Sequence, residues 1–105
     1  MSNADDKDLY SGLIRLHVLH HSAKEPIFGL WMVDELARHG YKISTGTLYP
    51  LLHGLERRKY LRSYVERDGK TSRRLYVTTA PGKRALKRAL AKVRELYGEL
   101  VEEEQ

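Results

Sequence analysis

The chain has 105 residues, a formal net charge of +5 and no cysteine, which fits one domain with a modest core and excludes disulfides and thiol chemistry. It has no run of about 18 apolar residues that would predict a membrane span, and its first eight residues, with three aspartates, do not resemble a signal peptide. We therefore expect a cytoplasmic protein with no membrane association.

The first predicted element is a helix over residues 8–21. Its apolar side chains recur at spacings of four and three at Leu9, Leu13 and Leu16, and the apolar face is widened by Ile14, Val18 and Leu19. Asp8 is the expected N-cap, because its carboxylate accepts hydrogen bonds from free amides and suits the positive end of the helix dipole. Pro26 cannot easily continue a helix and favours an extended residue before it, so residues 22–26 are predicted to form a linker.

A second helix is predicted over residues 28–39, with an apolar row formed by Leu30, Val33 and Leu36. Gly40 follows this helix, and glycine is favoured there because it adopts the left-handed conformation without a Cβ clash. Residues 41–43 are too few for a core strand but enough for an edge strand.

A third helix is predicted over residues 44–59, capped by Ser44 or Thr45. Its buried face is formed by Leu48, Leu51, Leu52 and Leu55. Pro50 either bends this helix from inside or takes the first position of a shorter helix that starts near Tyr49. We favour the longer helix, because the shorter one would leave out the first leucine of the buried face.

The period then changes from helical to alternating. The side chains with the period of a strand are Leu61, Ser63 and Val65, then Leu75 and Val77. Asp68-Gly69 lies between the two runs and is a strong signal for a hairpin turn. The sequence therefore predicts a β-hairpin with a basic tip.

A last helix is predicted over residues 80–102, with Thr79 as its cap. Its apolar side chains follow a four-three-four-three spacing typical of a coiled-coil seam: Leu86, Leu90, Val93, Tyr97 and Leu100. This seam has no obvious partner within so small a domain. The alternatives are a second copy of the chain and a helix that folds back onto its own domain.

Basic residues are concentrated in the second half of the chain. Between Arg57 and Arg94 there are fourteen Lys and Arg residues and only two acids, whereas five acids follow between Glu95 and Glu104. Such an excess of positive charge is balanced either by small counterions on a solvated surface or by a polyanion.

The order of helix, helix, helix, hairpin and long helix predicts a mainly α fold with a small β-hairpin, a winged helix-turn-helix. In such folds the third helix enters the DNA major groove and the hairpin lies along the adjacent backbone. The candidate DNA-binding residues on the third helix are Ser44, Thr45, Thr47, Tyr49, His53 and Arg57. Those on the hairpin are Arg67, Lys70, Arg73 and Arg74. Tyr49 is either a phosphate contact or a half-buried aromatic packed under the hairpin.

Three motifs resemble those of the PadR family of transcriptional regulators. The central motif, residues 44–56, reads STGTLYPLLHGLE and is similar to the family's G-T-L-Y-P-x-L-x-R-L-E. Residues 26–29, PIFG, resemble its P-x-x-G opening of the second helix, and residues 76–82, YVTTAPG, resemble its Y-x-L-T-x-x-G exit from the hairpin. The chain departs from the family pattern at Gly54, Lys59 and Thr78, where arginine, glycine and leucine respectively are usual.

The resemblance implies a homodimeric repressor bound to an inverted repeat in double-stranded DNA. Residues 8–79 would form the DNA-binding domain, and residues 80–105 the dimerisation helix, which packs against the first helix of the other subunit. The basic start and acidic end of this helix agree with antiparallel pairing. A small hydrophobic effector is a further expectation, and Trp31 is either part of its cleft or a core aromatic.

Other chemistry is not expected. His17, His20 and His21 have a spacing that can bind a metal, but no cysteine supports them, and solvated or half-buried histidines are the preferred interpretation. No nucleophile elbow, paired-carboxylate site or phosphate-binding loop is present in the sequence. We therefore expect no enzyme activity, no metal and no cofactor. The alternative function is a winged-helix module that binds another protein, because fold alone does not decide function.

Overall fold

The computed structural model describes residues 6–104. The elements are α1 (Lys7–Lys24), β1 (Ile27–Phe28), α2 (Gly29–Arg38), α3 (Thr45–Arg57), β2 (Leu61–Asp68), β3 (Thr71–Thr78) and α4 (Ala80–Glu104). The strands form an antiparallel sheet in the order β1–β3–β2. The predicted fold class, mainly α with a β-hairpin and a long last helix, is confirmed. Over residues 6–104, no helix combines the length and the apolar content that crossing a membrane requires.

The core lies where α1, α2 and α3 meet the sheet. Its fully buried side chains include Val18, Met32, Leu36, Leu48, Leu52 and Tyr76. In α3 the four predicted leucines are all buried, and Pro50 lies inside the helix. Removing these side chains from water is the main favourable term in the folding of such a domain.

Helix α1 differs from its prediction at both ends. Asp6, not Asp8, occupies the N-cap position, and no side chain bonds to the free amides there. The helix also continues through the predicted linker to Lys24, because Ser22 lies one turn after buried Val18 and is itself 1% exposed. The extended backbone before Pro26 was correctly predicted, since Glu25 has φ −162° and ψ 159°.

The predicted apolar faces of α1 and α2 are buried in part: Leu36 is buried and Val33 packs against the core, but the first leucine of each row is exposed. Leu9 is 72% exposed and Leu30 is 62% exposed, whereas Ile14 and Met32 are buried. Each helix carries apolar side chains on more than one face, and only the tertiary packing decides which face meets the core.

The predicted edge strand at residues 41–43 does not form. The Tyr41 amide donates to the Leu36 carbonyl (2.8 Å) and the Gly40 amide donates to the Ala37 carbonyl (3.0 Å), so these bonds close the end of α2. Gly40 has φ +93°, as that motif requires. The third strand is Ile27–Phe28 instead, which pairs with Tyr76 and Leu75 of β3.

The hairpin, hereafter the wing, is confirmed with strands of eight residues each. Asp68 pairs with Thr71, so the two-residue loop is Gly69-Lys70. Gly69 has φ +63° at the first loop position while Lys70 has no positive φ, which is the pattern of a type II′ turn.

The start of α4 is bonded to the turn that ends α3. The Thr79 hydroxyl donates to the Lys59 carbonyl (2.6 Å) and accepts from the Gly82 amide (3.0 Å), while the Thr79 amide donates to the Tyr60 carbonyl (3.1 Å). A Cβ on Gly82 would overlap the Tyr60 carbonyl. The Thr-x-x-Gly motif therefore lets the first turn of α4 pack directly on this backbone.

Candidate nucleic-acid interface

Helix α3 presents an exposed stripe opposite its buried leucines. Tyr49, His53 and Arg57 are exposed and lie four residues apart, which places them on one face. Ser44 is the N-cap, as predicted, because its hydroxyl accepts from the Thr47 amide (3.3 Å). Thr45 and Thr47 are half-buried near this end, where free amides and the helix dipole favour a negatively charged ligand.

The structure places the Tyr49 ring against α2 and leaves part of it exposed. It is 36% exposed, yet its hydroxyl oxygen lies 2.6 Å from the position that a Cβ on Gly29 would take. The ring therefore packs over the first residue of α2, and only a glycine leaves room for it. This contact joins the Pro26–Gly29 motif to the central motif, a relation that no local sequence pattern reveals.

Gly54 leaves space that Arg57 fills. A Cβ on Gly54 would lie 3.7 Å from Nη2 of Arg57 and would meet no other atom within 4 Å. The Arg57 guanidinium thus lies over the position at which arginine is usual in the motif. A positive group is kept on this part of the α3 surface although residue 54 lacks a side chain.

The wing divides its arginines between two faces. Cross-strand pairing places Val65 opposite Arg74 and Arg67 opposite Ser72, so Arg67 and Arg74 share one face. On this face Arg74 is linked to α3 through Ser63. Its Nη1 donates to the Ser63 hydroxyl (3.1 Å), which in turn donates to Oε2 of Glu56 in α3 (2.8 Å).

Arg73 lies on the opposite face. It pairs across the strands with Glu66, and its guanidinium carbon lies 5.0 Å from the centre of the Phe28 ring. Lys70 is exposed in the loop. Within residues 6–104, no carboxylate lies within 4.0 Å of a cationic group of the wing, so its positive charges are exposed to solvent without close ion pairs.

Two helices, α4 and α1, carry exposed large apolar side chains. On α4 these are Leu90, Val93, Leu96, Tyr97 and Leu100, and on α1 they are Leu9 and Leu13. Leu86 alone of the predicted seam packs against the core. Only part of α4 therefore folds back onto its own chain.

An apolar cavity of about 440 Å³ lies between α1 and α4. It is lined by Leu13, Leu16, His17, His20, Tyr41, Leu86, Leu90 and Val93. Trp31, the candidate effector residue, is half-buried against the core and lies outside this lining.

A family model described as the transcriptional regulator PadR-like family matches residues 18–88. The chain belongs to the PadR-like family. It is 42% identical over 96 residues to the transcriptional regulator Rv3488 of Mycobacterium tuberculosis, covering 88% of this chain and 90% of that protein. This PadR-like chain is therefore a transcriptional regulator, and members of this family are not enzymes.

Solved structures agree with this assignment. A PadR family regulator from Eggerthella lenta is 33% identical, with a TM-score of 0.80 over 92% of this chain and 86% of the other. A Streptococcus transcriptional regulator is 20% identical, with a TM-score of 0.82 over 92% and 97% of the two chains, and shows the same fold.

Two departures of this PadR-like chain from the family pattern have structural explanations. The hydroxyl of Thr78, where leucine is usual, is buried and donates to the Leu19 carbonyl (2.8 Å). Lys59 has φ +67°, and the bonds from the Lys59 and Tyr60 amides to the Glu56 and Leu55 carbonyls close α3. Glycine is common there because this left-handed position strains any other residue.

Proposed function

We propose that this PadR-like chain is a homodimeric repressor that binds an inverted-repeat DNA operator. The observation that carries the proposal is the exposed stripe of α3 together with a wing whose guanidinium groups have no carboxylate within 4.0 Å among the described residues. Residues 8–79 would bind DNA, and residues 80–105 would hold the two subunits together. Transcription is then blocked by occupation of the operator.

In this proposal α3 lies in the major groove. His53 and Arg57 reach base edges, and the Tyr49 hydroxyl, at the border between α3 and α2, contacts a phosphate. The polar residues at the start of α3 bind the adjacent backbone through hydroxyls and amides: Ser44, Thr45 and Thr47. The face of the wing that carries Arg67 and Arg74 is also the face that is hydrogen-bonded to α3. These two arginines and Lys70 therefore neutralise phosphates of the DNA strand next to α3. Arg73 contributes less, because it lies opposite Glu66.

The dimer rests on the exposed apolar faces of α1 and α4. A monomer would leave all of these leucines, Val93 and Tyr97 in water, and patches of this kind mark interaction sites. A second copy supplies an identical apolar face and, when antiparallel, places the acidic end of one α4 beside the basic start of the other. A small hydrophobic effector would enter the cavity between α1 and α4, whose volume lies within the usual range for ligand pockets.

Selection from a pool of random duplex DNA, followed by a salt titration of the selected site, tests this function. We expect an enriched palindromic sequence, two chains per duplex, and an affinity that falls steeply with salt. Weak binding without an enriched sequence would contradict the proposal. It would favour the protein-interaction module instead, with the apolar faces of α1 and α4 as its binding surface.

A further inference from the structure

Three histidines from two helices meet on the surface of the core, beside the cavity between α1 and α4. His17 and His21 lie four residues apart on α1, and His39 is the C-cap residue of α2. One ligand nitrogen from each ring lies within 4.8 Å of the other two. His20, which the sequence groups with the first two, is exposed and does not belong to this set.

We propose that His17, His21 and His39 bind one divalent transition metal ion, such as Zn²⁺, Co²⁺ or Ni²⁺. Imidazole nitrogen suits this group of metals, and three histidines with an open position for water form a known type of zinc site. Two nitrogens bound tetrahedrally at Zn–N distances of 2.0–2.1 Å are about 3.4 Å apart. Since the three nitrogens already lie within 4.8 Å of one another, each pair has to approach by at most about 1.4 Å to reach that separation.

Glu35 gives the cluster the outer carboxylate that metal-binding histidines usually have. Its Oε2 lies 3.0 Å from Nε2 of His39 and 3.5 Å from Nε2 of His21. A carboxylate in this place fixes the tautomer and the orientation of the rings and offsets part of the metal's charge.

The end of α2 favours a positive charge at this site, because the C-terminal end of a helix carries the partial negative charge of the helix dipole and His39 lies there.

Calorimetric titration of the full chain with Zn²⁺, after treatment with a chelator, tests the site. We expect one ion per chain. His39→Ala should weaken binding at least about 100-fold, since even loss of an outer carboxylate costs 10- to 100-fold, which is the range expected for Glu35→Gln. His39 is exposed, so its replacement leaves the core intact. His20→Ala is the matched control, because it removes a histidine from α1 and should keep the wild-type affinity.

Trp31 provides a second readout. Its ring lies 5.6 Å from that of His21, so Cu²⁺ bound at the cluster should quench Trp31 fluorescence in the wild type but not at the same concentration in His39→Ala. The proposal is overturned if Zn²⁺ gives no binding heat and Cu²⁺ gives no saturable quenching. It is equally overturned if His39→Ala binds Zn²⁺ as tightly as the wild type, or if His20→Ala weakens binding as much as His39→Ala. Neither measurement uses DNA, so each can refute the metal site without bearing on the proposed binding of an operator.

Discussion

Replacing Arg67 by alanine is the sharpest test of how the wing meets DNA. Arg67 is exposed, lies on the same face as Arg74 and has no carboxylate within 4.0 Å among the described residues. Arg74 is a poorer probe, because it also donates to Ser63 and its loss would disturb the contact between the wing and Glu56 of α3. A change at Arg67 therefore reports on phosphate binding with little effect on the fold.

The expected effect follows from counterion release. If each Arg67 meets one phosphate, a dimer loses two contacts, and the slope of log affinity against log salt becomes shallower by about 1.8. Between 50 and 200 mM salt the affinity of the wild type should then fall about 12-fold more than that of the variant. The loss should be equal for operator and random DNA, since phosphate contacts carry no sequence information.

Arg73→Ala is the matched control, as it removes the same charge from the opposite face of the same hairpin. The assay is fluorescence anisotropy with a labelled duplex at four or five salt concentrations, for both variants and the wild type. Our reasoning about the two faces is refuted if Arg67→Ala keeps the wild-type slope, or if Arg73→Ala flattens it as much.

Substitutions at four further positions test the fold and the dimer. Gly54→Ala should raise the free energy of unfolding, measured in urea titrations, by about 1 kcal/mol, because the only side chain near the new Cβ is that of Arg57. Gly82→Ala should lower the free energy of unfolding by about 1–3 kcal/mol or more, because its Cβ would overlap the backbone carbonyl of Tyr60. Lys59→Gly should raise the free energy of unfolding by about 0.5–1 kcal/mol, because the left-handed strain it relieves is larger than the entropic cost of ordering a glycine. An unchanged free energy of unfolding would show that the turn is unstrained. Tyr97→Glu should convert dimer to monomer in sedimentation experiments while Tyr97→Phe does not, and a monomeric wild type would contradict the dimer.

The elements predicted correctly are those with a local cause. Gly40 closes α2 and Ser44 opens α3, because the bonds that end a helix involve residues within one turn. The hairpin was found from its alternation and from Gly69, whose positive φ needs no distant partner. Pro50 inside α3 was also predicted, since the leucine period across it left little choice.

The predictions that failed depended on distant contacts. Strand β1 has two residues, and it exists because β3, almost fifty positions later, offers bonding partners to Ile27 and Phe28. The predicted apolar face of α1 correctly included Ile14, Val18 and Leu19 but also Leu9 and Leu13, which are exposed, because periodicity gives the spacing of a face and not its limits. Asp8 failed as a cap because the start of an exposed helix end can shift by one or two residues, here to Asp6.

The candidate site shows the same division. The exposed stripe of α3 could be predicted, since its members follow from the buried leucines by helical geometry. The meeting of the Tyr49 hydroxyl with Gly29 could not, nor could the place of His39 beside His17, because each joins residues from different helices. The two faces of the wing also required the register of β2 and β3.

Because hydrogen bonds at Thr79 hold α4 against the end of α3, a tilt of α4 changes the position of α3. The Thr79 hydroxyl and amide tie the first turn of α4 to the turn that ends α3, and Gly82 leaves no gap between them. The 25 residues of α4 span about 37 Å, so tilting this rod by roughly 5° moves one end by about 3 Å relative to the other, close to one base-pair step. In a dimer, a slight tilt of α4 would therefore reset the distance between two recognition helices and change which operator spacing they fit.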